Sequence, residues 1–172
     1  EINPLVTTTD GGGTWRYREI DPPSRIAAGH MIEDSGWVVG HRGMVLASRN
    51  GGETWTAPES GTTADLEAIA FSGDGGDGVA VGDAGTILVT RDGGAHWFAA
   101  DSGTDSALRA LATNGTLIVA VGDRGTTVVS TDGGKTWTEA APLFPPLAKN
   151  VPAAADDEAT RFQTSWGFAV VD

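Results

Sequence analysis

The chain has 172 residues, 25 of them glycine where the usual share is about 7%, with no cysteine, 11 basic residues, 23 acidic residues and a net charge of −12. Zero cysteine removes a disulfide scaffold, a zinc ribbon and a thiol nucleophile, and the acidic surplus argues against a phosphate-tracking nucleic-acid binder or an anionic-membrane binder. Glycine at this density cannot fill helix interiors, where each costs about 1 kcal/mol relative to alanine, so a turn-rich, all-β soluble domain is expected.

No apolar run approaches the roughly 18 residues of a membrane span, and no basic segment followed by an apolar one opens the chain. Neither membrane insertion nor a signal peptide is expected, and the missing initiator methionine fits a mature or trimmed form.

Four segments share one pattern in chain order: TTDGGGTW from Thr8 to Trp15, SRNGGETW from Ser48 to Trp55, TRDGGAHW from Thr90 to Trp97 and STDGGKTW from Ser130 to Trp137. Upstream of the last three lies a second shared block: WVVGHRGMVLAS from Trp37, VAVGDAGTILVT from Val79 and VAVGDRGTTVVS from Val119. Units of this length belong to repeat architectures. In the third copy, Leu66 to Phe71 alternates apolar and polar, Gly78 to Gly82 is a short apolar run, Thr86 to Thr90 is β-branched, and Trp97 to Ala100 follows the Asp92-Gly93-Gly94 turn. Gly82 to Gly85 predicts a tight hairpin with positive φ. Four antiparallel strands in each unit describe one blade of a β-propeller, and no helix is expected.

The repeat also aligns the termini. Glu1 falls on the position of His41, Asp83 and Asp123, and the run Trp166 to Asp172 matches Gly78 to Asp83. A single propeller domain over 1–172 is expected, with units at about 1–40, 41–82, 83–122 and 123–172 and an irregular insertion at about 140–160. Its closing blade would combine two C-terminal and two N-terminal strands, which removes exposed edges. The alternatives are two chains pairing their half-blades into a larger ring, and a piece of a longer propeller.

The [ST]-x-[DN]-G-G-x-[TH]-W segments resemble the Asp-box, or BNR repeat, of sialidases and related propellers. The longer unit, G-[DH]-x-G-x-[ILV]-x-x-[ST]-x-[DN]-G-G-x-[TH]-W, is most similar to repeats of the photosystem II stability/assembly factor family. The resemblance implies a non-enzymatic, extracytoplasmic propeller that binds protein partners during assembly of a membrane complex. Within the boxes, Asp10, Asn50, Asp92 and Asp132 are expected to brace their own turns, and Trp15, Trp55, Trp97 and Trp137 to pack between blades. Each box offers one acidic or amide side chain, too few oxygens for a calcium cage, so no metal or other cofactor is expected.

In such propellers the hairpin between the second and third strands leaves the Asp-box face. His41, Arg42, Asp83, Asp123 and Arg124 are therefore expected on one rim near the channel, together with Glu1 and the connections Glu19 to Arg25, Glu59 to Asp65, Asp101 to Ser106 and Ala140 to Thr160. The last connection is either a partner-binding loop or a plain insertion.

Enzymatic readings fit less well. A sialidase needs a tyrosine nucleophile, and the one tyrosine, Tyr17, falls on an outermost strand; Arg42 and Arg124 recur at one repeat position, as rim decoration does. A xyloglucanase-like carboxylate pair from Asp83 and Asp123 is the open alternative, with the spacing of the carboxyls as its criterion. His30, His41 and His96 are scattered, and the Gly-Asp-x-Gly turns lack the helix and lysine of a phosphate loop. The expected function is an interaction module that presents its rim to a protein partner; a carbohydrate-binding module or glycoside hydrolase is the alternative.

Overall fold

The computed structural model describes residues 5–8, 10–18 and 24–140. These belong to one compact unit, Glu1–Ala141. A second unit, Pro142–Asp172, lies outside the described residues, as do Glu1, the connection at 19–23, nearly all of the insertion and the expected closing strand Trp166 to Asp172.

Four antiparallel sheets follow one another along the described chain, each ahead of or around one box turn, with neighbouring strands paired in chain order. Sheet one holds β1 (Leu5–Thr7) and β2 (Arg16–Arg18). Sheet two holds β3 (Ile26–Ile32), β4 (Ser35–Gly40) and β5 (Val45–Ser48). Sheet three holds β6 (Leu66–Phe71), β7 (Gly78–Gly82), β8 (Ile87–Thr90) and β9 (Phe98–Ala100), and sheet four β10 (Leu108–Thr113), β11 (Ile118–Gly122), β12 (Thr127–Ser130) and β13 (Thr138–Glu139). The four strands expected of the third unit are all present, the last two starting one residue later than their sequence suggests.

Sheet two departs from the four-strand expectation. Its fourth strand shrinks to a single bridge, Ala47 with Thr56. In sheet three the corresponding ladder runs on to Ile87 opposite Ala100. The position of Ala100 is taken here by Pro58, which has no N–H to donate, so the ladder stops.

Among the described residues the helical segments are single 3-10 turns at His41–Gly43, Asp83–Gly85 and Asp123–Gly125. Positive φ falls on Ala84 (52°) and Gly85 (68°), while Gly82 is extended. Gly82 is needed for another reason: a Cβ there would lie 2.0 Å from the Asp65 carbonyl oxygen. Gly40 and Gly122 sit as tightly against Arg25 and Ala107.

Hydrophobic packing runs from sheet to sheet. Alternate residues of β4 and β5 (Trp37, Val39, Val45, Ala47) meet Leu66, Ile69, Phe71 and Leu88 of sheet three, whose opposite face (Val79, Val81, Ile87, Val89) meets sheet four. Sheet three is thus covered on both sides, and β7 and β8 are buried throughout, as their unbroken apolar runs require. Trp37 anchors the contact between sheets two and three. Its ring stacks on Phe71 with centroids 3.7 Å apart, Phe71 meets Trp97 edge-on, and the Trp37 indole donates to the Gly93 carbonyl at 2.7 Å. No helix of the described residues is long and apolar enough to cross a membrane.

Replacing Trp37 by alanine empties a fully buried site and should cost about 3–5 kcal/mol of unfolding free energy, measured by urea denaturation. A loss below about 1 kcal/mol would show that the stacked aromatics do not hold these sheets together.

Candidate functional site

The Asp-box turns set the frame. In each box the serine or threonine hydroxyl (Thr8, Ser48, Thr90, Ser130) accepts the amide of the second box glycine at 2.8–2.9 Å and donates to the oxygen of Asp10, Asn50, Asp92 or Asp132. That oxygen also accepts the amide of Thr14, Thr54, His96 or Thr136 at 2.8–3.0 Å. Where the box has Asp and Thr, the threonine hydroxyl donates to the second carboxylate oxygen, at 2.6 Å in Asp10 and 2.7 Å in Asp132. In the third box the His96 ring takes that place. In the second, the Asn50 amide donates to Thr54, so the bond survives with its direction reversed. The turns therefore consume their own side chains, and four hydrogen-bonded loops are left with little capacity for a ligand.

The box tryptophans divide. Trp97 is buried between sheets two and three, Trp137 is half-buried between three and four, and Trp55 packs with Leu5, Ile26 and Leu46 between one and two. Trp15 is 62% exposed, which departs from the expected inter-blade packing; within the described residues no sheet precedes its own. Tyr17 lies exposed on β2.

The opposite side carries the hairpins of the second repeat block. The amides of His41, Asp83 and Asp123 donate to the carbonyls of Arg25, Asp65 and Ala107, just ahead of the first strands, at 2.9 Å. Gly43 and Gly85 lie against the Thr62 and Thr104 carbonyls, so hairpins and inter-sheet connections share one rim. Each connection is braced alike: the hydroxyls of Ser60 and Ser102 accept the amides of Thr62 and Thr104, and the hydroxyls of Thr62 and Thr104 accept those of Ala64 and Ser106.

Two groups form on this rim. His41 and Arg42 line an open cavity of about 700 Å³ with Met44, Pro58, Ser60 and Thr62. The Asp65 carboxylate accepts the Arg42 amide at 2.8 Å and faces the His41 ring at 3.4 Å. The second group gathers around Arg109. Its Nη1 donates to Glu67 and Asp83, both at 2.9 Å, and its Nε and Nη2 engage the two oxygens of Asp123 at 3.2 and 3.0 Å. Asp65 joins the groups, because its carbonyl accepts the Asp83 amide while its carboxylate holds the His41 turn. Arg124 sits at the tip of its turn with φ 59°, where its charge, after that of Arg109, helps hold the Asp123 carboxyl below its usual range.

Arg109 and Glu67 were not anticipated from sequence, and Asp65 only as the end of the rim connection Glu59 to Asp65. Glu67 and Arg109 occupy one repeat column with Ala27, the extra residue at the bulge of each first strand. Opposite charges in one column of adjacent units are the signal that could have paired them. The bulge re-aims these side chains along the rim, and Arg109 bridges the like-charged pair Glu67 and Asp83 of the preceding sheet.

A family model for the photosynthesis system II assembly factor YCF48 matches residues 2–63 and 59–165. The chain belongs to the YCF48 family. The structure of YCF48 bound to D1 peptide superposes with a TM-score of 0.59 at 24% identity, over 67% of this chain and 39% of that one. YCF48 from Cyanidioschyzon merolae gives 0.61 at 23% identity, over 72% and 42%, and an ancestral GH74 enzyme 0.64 at 19%, over 81% and 21%. The chain thus spans about two fifths of the YCF48 structures it matches. These likenesses show the fold alone, that of propeller blades; no curated protein matches the chain. Within this chain the tryptophan boxes carry the scaffold, and the Gly-[DH]-x-Gly turns carry charge that differs from unit to unit.

Two measurements check this site. The hydroxyl and amide of Thr14 hold the Asp10 carboxyl down at about 2, and the same kinds of donor, from His96 and Thr136, hold Asp92 and Asp132 well below the usual range. Carboxyls lowered in the folded state contribute stability above their unfolded pKa near 4, and that contribution is lost as pH falls through the folded values. Carboxyl NMR should find these three still ionised at pH 3, with unfolding free energy falling between about pH 4 and 2. Ordinary titration near pH 4 would contradict the bonding described. In Arg109→Gln, Asp123 should titrate closer to the usual range, with a stability loss that is steady from neutral pH down to about pH 4 and shrinks as pH falls further; a pH-independent loss would assign Arg109 a packing function instead.

Proposed function

We propose that the chain is a non-enzymatic, assembly-factor-like interaction module that docks a protein segment on the rim formed by His41, Arg42, Asp83, Asp123 and Arg124. The observation that carries this reading is the open cavity beside His41 and Arg42, whose walls are backbone-bonded turns and connections. A concave site on preorganised loops favours docking of an extended segment with little ordering cost. A YCF48 has been solved with D1 peptide, which makes that peptide the first probe. The proposed setting is extracytoplasmic.

Catalysis by Asp83 and Asp123 fits the geometry poorly. Both carboxylates are engaged by one guanidinium, and Asp123 is held below its usual range, the reverse of what a general acid needs. The likeness to a GH74 enzyme is one of fold. The repeat register completes the proposal with a ring whose closing blade joins the β1 and β2 pair to a strand of the Trp166 to Asp172 kind.

The test is binding of D1 peptide beside a peptide panel, a glycan array and chromogenic glycosides. The triple variant His41→Ala, Arg42→Ala, Arg124→Ala should weaken peptide binding at least about tenfold, that is about 1.4 kcal/mol, with its melting temperature retained. Alanine suits two of these turns, since Ala84 holds the equivalent position at φ 52°. Unchanged binding would rule out this rim, and glycoside hydrolysis lost in Asp83→Asn would replace the reading with an enzymatic one.

A further inference from the structure

The sequence holds two Asn-Gly steps, Asn50-Gly51 in the second box and Asn114-Gly115 in the hairpin between β10 and β11. Asparagine is among the thermolabile residues, and a following glycine, with no Cβ, lets the next amide nitrogen close on the carboxamide with least hindrance. Both asparagines are exposed, so access to water does not distinguish them. Their hydrogen bonds do.

Ring closure at Asn50 has to break bonds that make the box. Its Oδ1 accepts the Ser48 hydroxyl and the Thr54 amide, and its Nδ2, the atom that must leave, donates to the Thr54 hydroxyl at 2.9 Å. The attacking nitrogen is tied as well, because the Gly51 amide donates to the Asp34 carbonyl at 2.8 Å. That bond belongs to the scaffold: Gly93 and Gly133 donate in the same way to the hairpin carbonyls of Gly76 and Thr116. Asn114 is held more lightly. Its Oδ1 accepts the Leu117 amide at 3.1 Å, which polarises the Cγ carbonyl, and its Nδ2 has no partner among the described residues. Gly115 donates to the nearby Thr113 hydroxyl at 3.0 Å, and a Cβ placed on it would meet nothing within 4 Å.

We propose that Asn114 is a site of spontaneous deamidation and isoaspartate formation, and that the box protects Asn50 from the same reaction. A base in solution takes the Gly115 amide proton, and the nitrogen attacks Cγ of Asn114. The N–Cγ bond forms, the Cγ–Nδ2 bond breaks, and Nδ2 leaves as ammonia with the proton returned from the base. Water then opens the cyclic imide at either carbonyl. One opening gives aspartate at 114; the other gives isoaspartate, which routes the main chain through the side-chain carbon. Both products add a carboxylate to the cavity of about 680 Å³ that Asn114 lines with Asp74, Asp77, Asp132, Arg91 and Lys135. Isoaspartate also lengthens the chain just ahead of Thr116, whose carbonyl holds the Gly133 amide at 2.9 Å, and so loosens the fourth box from its hairpin. This proposal is independent of which partner the rim takes.

Ageing of the 172-residue chain at mildly alkaline pH, followed by peptide mapping with mass spectrometry, tests it. Aspartate and isoaspartate should accumulate at 114 at least about tenfold faster than at 50, because the Asn50 amide must first leave Thr54 and Gly51 must leave Asp34. An isoaspartyl methyltransferase should label the aged chain, and Asn114→Gln should remove most of that label. In the urea-unfolded chain the two steps should react at similar rates. Thr54→Ala, which removes the acceptor of the Asn50 amide, should raise the rate at 50 in the folded chain. Hydrogen exchange should find the Gly133 amide less protected in the isoaspartyl form. Equal rates at the two positions in the folded chain, or an Asn114 that stays intact while the unfolded chain reacts, would overturn the proposal.

Discussion

A single hydrogen-bonding unit governs the layout: a serine or threonine hydroxyl and an aspartate or asparagine oxygen that together satisfy the amides of a Gly-Gly turn. Left unpaired, those amides would make so tight a turn costly to form. Satisfied locally, the turn sends Trp55, Trp97 and Trp137 back onto the preceding sheet and leaves a glycine carbonyl to accept from it. Arg49 and Arg91, each next to the acceptor residue of its own box, donate to the carbonyls of Gly93 and Gly133 in the next box. The box is thus a turn brace, a core anchor and a latch between sheets at once.

Because these demands fall on one side of the molecule, the other side is released from them. The Gly-[DH]-x-Gly hairpins are held by backbone bonds to the first strands and the connections, which leaves their side chains free to differ between units. The differences are electrostatic. One unit presents His41 and Arg42 beside an open cavity, and the next two present acids gathered on Arg109. An isolated pair this exposed would contribute little, but a guanidinium gripping one carboxylate through two nitrogens and reaching two more has a defined geometry. The rim is therefore shaped by charge as well as by form, which suits selective docking.

Legibility from sequence tracked repetition. β6 and β7 could be read residue for residue because their pattern recurs, and the Asp or Asn brace of each box because it stands at a fixed interval before its Gly-Gly turn, whereas the serine or threonine hydroxyl that shares the brace was not read. What broke the repeat stayed hidden. Trp37 stands where other units have Val79 and Val119, so its stack on Phe71 has no counterpart to reveal it. Pro58 shortens one ladder in a way that strand propensity alone does not show. Arg109 drew no attention in an alternating strand, since only the distance between adjacent sheets turns one charge and three carboxylates into a network. Trp15 reads like its three equivalents and differs from them because no sheet precedes its own among the described residues, which the motif does not encode.

The central claim is that a partner docks on the hairpin rim and not on the box turns. Hydrogen exchange of the chain with and without D1 peptide tests it most directly. The account predicts added protection at His41 to Met44 and Ser60 to Thr63, with the box amides of Gly52, Gly94 and Gly134 unchanged. Protection appearing at the box turns while the rim exchanges as before would contradict it.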